Sequence, residues 1–188
     1  MSIVVRPATP ADVASMHDMI VELAIFEKEP DAVIATVEDL HKALFGGIAV
    51  PDNEYGDHDS MEVARDIADT PSGHPALFAH VIDDPDGEGL AGMAIWFLNF
   101  STWEGRHGVY LEDLYVRPQF RGQGFGKALM AELAKICTEN NYTRFQWWVL
   151  KWNQSAIDVY EKLGAVAQDE WVTYRLAGQR LNILGAQD

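Results

Sequence analysis

One cysteine, Cys137, is the whole thiol content of this 188-residue chain. It excludes an internal disulfide and fits a reducing compartment. Its place on the apolar side of a helical pattern makes it a packed thiol rather than a nucleophile. Long apolar runs are missing too: nothing approaches the roughly 18 uninterrupted residues that a membrane-spanning helix needs. The start, Met1-Ser2-Ile3-Val4-Val5-Arg6-Pro7, lacks the basic beginning and long apolar centre of a signal peptide. A soluble, cytoplasmic protein is the expectation.

Positive charge is scarce. Lys and Arg number 14 against 29 Asp and Glu, for a formal net charge of -15, and the pI is about 4.6. Nucleic-acid phosphates would be repelled, whereas cationic small molecules would be attracted. Metal-ligand spacing is absent as well. His58 stands among acids with no recognised pattern around it, so no metal is expected. There is no internal repeat and no low-complexity linker.

What is present describes an ordered globular chain, with 48% hydrophobic and 23% charged residues, and one domain is the default at this length. A strand is predicted over 3–6. Thr9, Pro10 and Asp12 then read as cap, first position and capping-box acid of a helix reaching Phe26, and Thr36 with Asp39 repeats the signal for a second helix ending by Gly46 and Gly47. Residues 48–75 are crowded with Pro, Gly and Asp and read as an acidic surface excursion, with a helical turn near 60–67. Strands over 76–82 and 90–99 flank the turn signal Asp83-Asp84-Pro85-Asp86-Gly87 and predict a hairpin, with 109–116 as its third antiparallel neighbour. Further strands over 144–149 and 170–176, and a helix over 153–163 ended by Gly164, complete the pattern. About seven strands and about four helices make this an α/β chain around one central mixed, mostly antiparallel sheet.

The most informative stretch is strand, glycine loop and helix in succession. After the strand ending at Val116 come Arg121, Gly122, Gln123, Gly124, Phe125, Gly126 and Lys127, and then an amphipathic helix with Leu129, Leu133, Ile136 and Cys137 at helical spacing. Glycines let backbone N–H groups approach an anion, and a helix start adds unpaired donors and a positive dipole end. A Walker loop fails, because Arg121 replaces its first glycine and Ala128 its hydroxyl. A dinucleotide fingerprint is weak, since Lys127 occupies its third glycine position and no acid ends a following strand about 20 residues on. The pattern Arg/Gln-x-x-Gly-x-Gly/Ala is met by Arg121, Gly124 and Gly126.

Downstream, Asn153 is a cap candidate, and Tyr160 lies seven residues later on nearly the same helical face, with Ser155 and Ala156 between them. In the strand 109–116, alternation puts Glu112 on one face with Tyr110, Leu114 and Val116, and Asp113 on the other. A carboxylate in that apolar row is expected to be buried, with its pKa raised toward neutrality.

With these two motifs the chain resembles the GNAT superfamily of acyl-CoA-dependent N-acetyltransferases. The resemblance implies the GNAT fold, acetyl-CoA as co-substrate and a direct ternary-complex reaction, with no metal and no acetyl-cysteine. It further implies cofactor contacts from Leu114, Tyr115 and Val116, from the loop 121–127, and from Asn153, Ser155, Ala156 and Tyr160. Tyr160 would be the general acid at the departing sulfur, and Glu112 the general base, acting through water. Ile3 to Thr9, Glu22 to Glu27, Trp103-Glu104-Gly105, Tyr110 to Asp113 and Trp152-Asn153 are similar to the diamine branch, the spermidine/spermine and thialysine acetyltransferases. By that likeness Phe26, Glu27, Trp103, Glu112, Gln146, Trp147, Trp148 and Glu170 would line an acceptor pocket, where acids and aromatic faces suit an alkylammonium. The implied substrate is a polyamine or diamine, with thialysine, another amino acid or an aminoglycoside as alternatives and a non-catalytic acyl-CoA sensor as a different class. A homodimer is implied by the same branch.

Overall fold

Two apolar strands, β2 (Leu77–Asp83) and β3 (Leu90–Ser101), fold back on each other around a turn in which Asp84 accepts a hydrogen bond from the Asp86 N–H at 2.8 Å. They form the centre of the computed structural model, which describes residues 3–46, 70, 72 and 74–186. The short strand β1 (Arg6–Pro7) pairs with β2, and β4 (Arg106–Val116) pairs with β3, both antiparallel. β5 (Phe145–Trp147) adds to β4 in parallel, so the sheet order is β1-β2-β3-β4-β5.

Seven buried residues in succession, from Leu90 to Trp96, show that the first half of β3 is covered on both faces. On one side, Met93 and Ile95 join Ala79, Val81 and Tyr115 in a core with Val13, Met16 and Met19 of helix α1 (Val13–Phe26) and Leu40 and Leu44 of α2 (Val37–Phe45). On the other, Gly92 faces helix α3 (Phe125–Glu139): a Cβ there would lie 3.3 Å from both Leu129 Cδ1 and the Tyr115 carbonyl oxygen. α3 buries Phe125, Leu129, Leu133 and Cys137 of the stripe read from the sequence, and Met130 besides, while Ile136 is only partly buried.

Local chemistry sets the helix ends. The Asp12 carboxylate accepts from the Thr9 N–H at 2.7 Å and hydroxyl at 2.8 Å, and a 3₁₀ turn at Pro10–Asp12 leads into α1. At α2 the exchange is reciprocal, with Thr36 Oγ1 accepting from the Asp39 N–H and Asp39 accepting from the Thr36 N–H. Gly46, at φ 78°, stops α2.

Residues 1–148 and 149–188 form two compact units. The second holds α4 (Gln154–Lys162) and α5 (Gln179–Gly185). Two expectations are corrected. The sheet has five strands among the described residues rather than about seven: of the six stretches read as strands, 170–176 joins no sheet, and the first is reduced to Arg6–Pro7. The apolar residues of 170–176 fit a pleated surface, but strand propensity expresses packing against a neighbour and does not supply one; Trp171, Val172 and Tyr174 are all exposed. There are five α-helices among the described residues rather than four. The acidic excursion of 48–75, with its helical turn, lies outside the described residues except for Thr70, Ser72, His74 and Pro75.

Candidate active site

β4 ends at Val116, a 3₁₀ turn spans Pro118–Phe120, and the chain then passes through two left-handed glycines, Gly122 at φ 74° and Gly124 at φ 94°. Gly124 is the N-cap of α3, and no side chain caps this end. The 15-residue helix therefore begins with backbone donors that no side chain covers. A Cβ at Gly122 would meet nothing within 4 Å, so this turn faces open space. Phe125, buried against Phe120 with ring centroids 5.4 Å apart, anchors the helix start. Lys127 is exposed beside it, and the Gln123 amide folds back to donate to the Gln119 carbonyl at 2.8 Å. Uncapped amides, positive-φ glycines and two cations fit a diphosphate.

Arg121 is tied back to the protein. Its Nε donates to the Val116 carbonyl at 2.8 Å, and its guanidinium lies over the rings of Phe26 at 5.1 Å and Tyr115 at 5.3 Å. Tyr115 is buried, with its phenol pushed up by burial and by Glu22. Leu114 and Val116 are partly buried on either side of it.

Glu112 is exposed, not buried as strand alternation predicts. The cause is a β-bulge: Ile95 pairs with Asp113 and Trp96 with Leu111, so Glu112 is an extra residue on β4 and the strict alternation of faces is lost. The carboxyl whose pKa is raised is Asp113, partly buried and pushed up to about 6, first by burial and then by the charges of Glu112 and Glu27. Glu27, in the residue after α1, is itself raised by burial. In the sequence Asp113 stands out only as the neighbour of Glu112 on the opposite face of the strand. The Tyr110 phenol is pushed up to about 12 by burial and by Glu112.

The first unit thus gathers Phe26, Glu27, Glu112, Asp113 and the glycine loop. Other expected acceptor residues have different surroundings. Trp103 is 92% exposed in the turn between β3 and β4. Gln146 accepts a hydrogen bond from the Asn99 amide at 3.0 Å, Trp147 packs on Phe145 with ring centroids 4.9 Å apart, and exposed Trp148 stands edge-on to Tyr110 at 5.8 Å.

In the second unit Asn153 caps α4 as expected, accepting from the Ala156 N–H at 3.3 Å and from the Ser155 hydroxyl at 3.1 Å. Tyr160 is partly buried on α4, and burial pushes its phenol up, keeping the proton on the oxygen. Glu170 is exposed in a turn.

Comparison with known proteins bears on this arrangement. Residues 34–165 match the model of the Acetyltransferase (GNAT) family. The chain is 32% identical to an L-ornithine N5-acetyltransferase of Arabidopsis thaliana, over 96% of this chain and 86% of that protein. It is 30% identical to a thialysine N-epsilon-acetyltransferase of Sus scrofa, over 99% of both. Among solved structures, an integron cassette protein from the mobile metagenome of V. cholerae shares the fold with a TM-score of 0.71 at 22% identity, over 100% of this chain and 99% of that one. The family model spans well over half of the chain and a relative above 30% identity covers nearly all of it, so the chain belongs to the GNAT acetyltransferase family.

Proposed function

We propose that the chain transfers an acetyl group from acetyl-CoA to the side-chain primary amine of a small cationic amino acid of the ornithine or thialysine type. The observation that carries this reading is Asp113, a carboxyl near neutrality grouped with Glu27 and Glu112 beside the glycine loop. Three acids favour an alkylammonium over a neutral acceptor. The names of the relatives similar over nearly the full chain support an amino-acid acceptor over the polyamine that motif likeness implies. A spermidine/spermine N(1)-acetyltransferase-like protein of Homo sapiens is 27% identical over 94% of this chain and 23% of that protein.

When bound, acetyl-CoA supplies an acetyl group already activated as a thioester. The loop amides of 122–127, with Arg121 and Lys127, would hold its diphosphate. An incoming ammonium must lose a proton before its nitrogen can attack. The Glu112–Asp113 pair takes that proton, with exposed Glu112 receiving it through water and Asp113, pushed up to about 6 mainly by burial, beside it. Tyr160 keeps its phenolic proton to donate to the sulfur as the C–S bond breaks. Cys137 is buried and its thiol is pushed up by burial, so the acetyl group passes directly to the amine.

The test is release of CoA from acetyl-CoA with ornithine, thialysine, lysine, spermidine, putrescine and an aminoglycoside supplied in turn. The highest kcat/KM is expected on ornithine or thialysine. A preference for spermidine or putrescine would restore the polyamine reading, and tight CoA binding without turnover on any amine would make the chain a sensor.

We further propose a cytoplasmic homodimer. Support comes from the exposed apolar side chains of residues 149–188, among them Trp171, Val172, Leu181, Ile183 and Leu184, which a second copy would cover. Light scattering that shows only monomer at micromolar concentration would remove the dimer.

A further inference from the structure

The last turn of α1 and the segment after β4 meet through two matched pairs of side chains. On α1, Glu22 and Phe26 are four residues apart and project from one side of the helix. After β4, Arg117 and Arg121 are also four residues apart. Glu22 Oε1 lies 3.3 Å from Arg117 Nε, and the Phe26 ring lies 5.1 Å from the Arg121 guanidinium carbon. Tyr115 offers Arg121 a second aromatic face, and the Val116 carbonyl takes its Nε proton.

The resemblance to diamine acetyltransferases puts Phe26 among the residues that touch the acceptor, but its ring lies on an arginine of the diphosphate loop. An arginine on an exposed loop loses rotamer freedom when it grips an anion. One already held at its Nε and on its guanidinium face has less to lose, and keeps its terminal N–H groups for a ligand.

We propose that Phe26 is a positioning residue for coenzyme A: by cation–π packing it holds Arg121 ready for the diphosphate, so the end of α1 belongs to the donor side of the site. This rests on the reading that the 121–127 loop grips the diphosphate. It also makes adjacent residues serve opposite ends of the reaction, Phe26 the donor and Glu27 the ammonium.

Isothermal titration of CoA into the full chain, without any amine, tests it. Phe26→Leu keeps an apolar side chain but loses the π face, and is expected to weaken CoA binding about two- to fivefold, the range of a partly exposed cation–π contact. Phe26→Tyr is expected to bind as the parent does. In an Arg121→Ala background, Phe26→Leu is expected to change nothing further, because the group it positions is gone. In turnover, the rise in KM should fall on acetyl-CoA and not on the amine. Arg121→Lys, which keeps the charge without the planar stack, gives an independent arm: it should weaken CoA binding, and Phe26→Leu should add little to it. Parental affinity in Phe26→Leu, an equal loss with and without Arg121, or a KM change confined to the amine would each overturn the inference while leaving the diphosphate loop standing. Failure of the parent chain itself to bind CoA would remove both.

Discussion

Asp113 faces Ile95 across the sheet, while Glu112 beside it faces no residue of β3. That one-residue slip makes two adjacent carboxylates unlike. Glu112 stands in solvent, and Asp113 is partly buried with its pKa pushed up to about 6. The bulge therefore supplies one accessible carboxylate and one near-neutral carboxyl within two residues of chain.

Asp113→Asn should stabilise the protein at pH 8 and slow the enzyme. A carboxyl whose folded pKa lies above its unfolded value lends stability that is fully present below about pH 4 and lost as pH rises through about 6. Above that range the charged Asp113 therefore destabilises the fold, by about 2 kcal/mol after allowance for screening. Thermal melts at pH 8 should show a higher Tm for Asp113→Asn, with the difference shrinking toward pH 4. The same substitution should lower kcat/KM and displace the acid limb of its pH profile. An unchanged acid limb would take Asp113 out of proton transfer.

Arg6 gives the opposite sign. It donates to both oxygens of Asp12 at 2.8 Å and also pairs with Asp83, and its hydrogen bonds hold Asp12 down at about 2. This contribution is present above about pH 4 and lost as pH falls through about 2. Asp12→Asn is expected to cost about 2 kcal/mol at pH 7, since it leaves Arg6 paired with Asp83 alone and disturbs the entry to α1. The penalty should fade below pH 3. A constant penalty across that range would mean that packing, not charge, is what the substitution removes.

Features that neighbouring residues decide together are legible in the amino-acid sequence. The Thr9 and Thr36 caps, the hairpin turn at 83–89, and the strand-loop-helix run from β4 to α3 each depend on chemistry a few residues long. The bulge at Glu112 depends on register against β3, which alternation within β4 cannot express. The same limit explains the expected strand at 170–176, where suitable residues are present and a pairing strand is not found among the described residues. Phe26 reads as an acceptor residue by likeness to the diamine branch, and only the packing of α1 on the loop after β4 sets it against Arg121.

Tyr160→Phe removes one hydroxyl from a partly buried ring and should leave Tm nearly unchanged. If the phenol protonates the departing sulfur, kcat should fall about 10²-fold or more while CoA affinity holds. The burial that pushes this phenol up keeps it protonated across the working range, so the parent should owe no basic limb to Tyr160 across that range. Unchanged turnover on the best amine would remove the assignment.

Two glycines of the first unit should respond differently to alanine, because they are glycine for different reasons. A Cβ at Gly108 would lie 2.5 Å from Arg144 Cγ and 2.8 Å from the Arg144 carbonyl oxygen, where β4 begins to meet the segment leading into β5. Gly108→Ala must push that backbone away, and is expected to cost about 3 kcal/mol or more as overpacking. Gly122 has open space around it but sits at φ 74°. Gly122→Ala is expected to cost only about 1–2 kcal/mol of backbone strain, and to relax it by turning the loop amides out of their present direction. Denaturant melts and CoA titrations should therefore rank the two in opposite orders, with Gly108→Ala the less stable and Gly122→Ala the weaker binder. Equal CoA affinity in Gly122→Ala and the parent would mean that the amides of this turn do not hold the diphosphate.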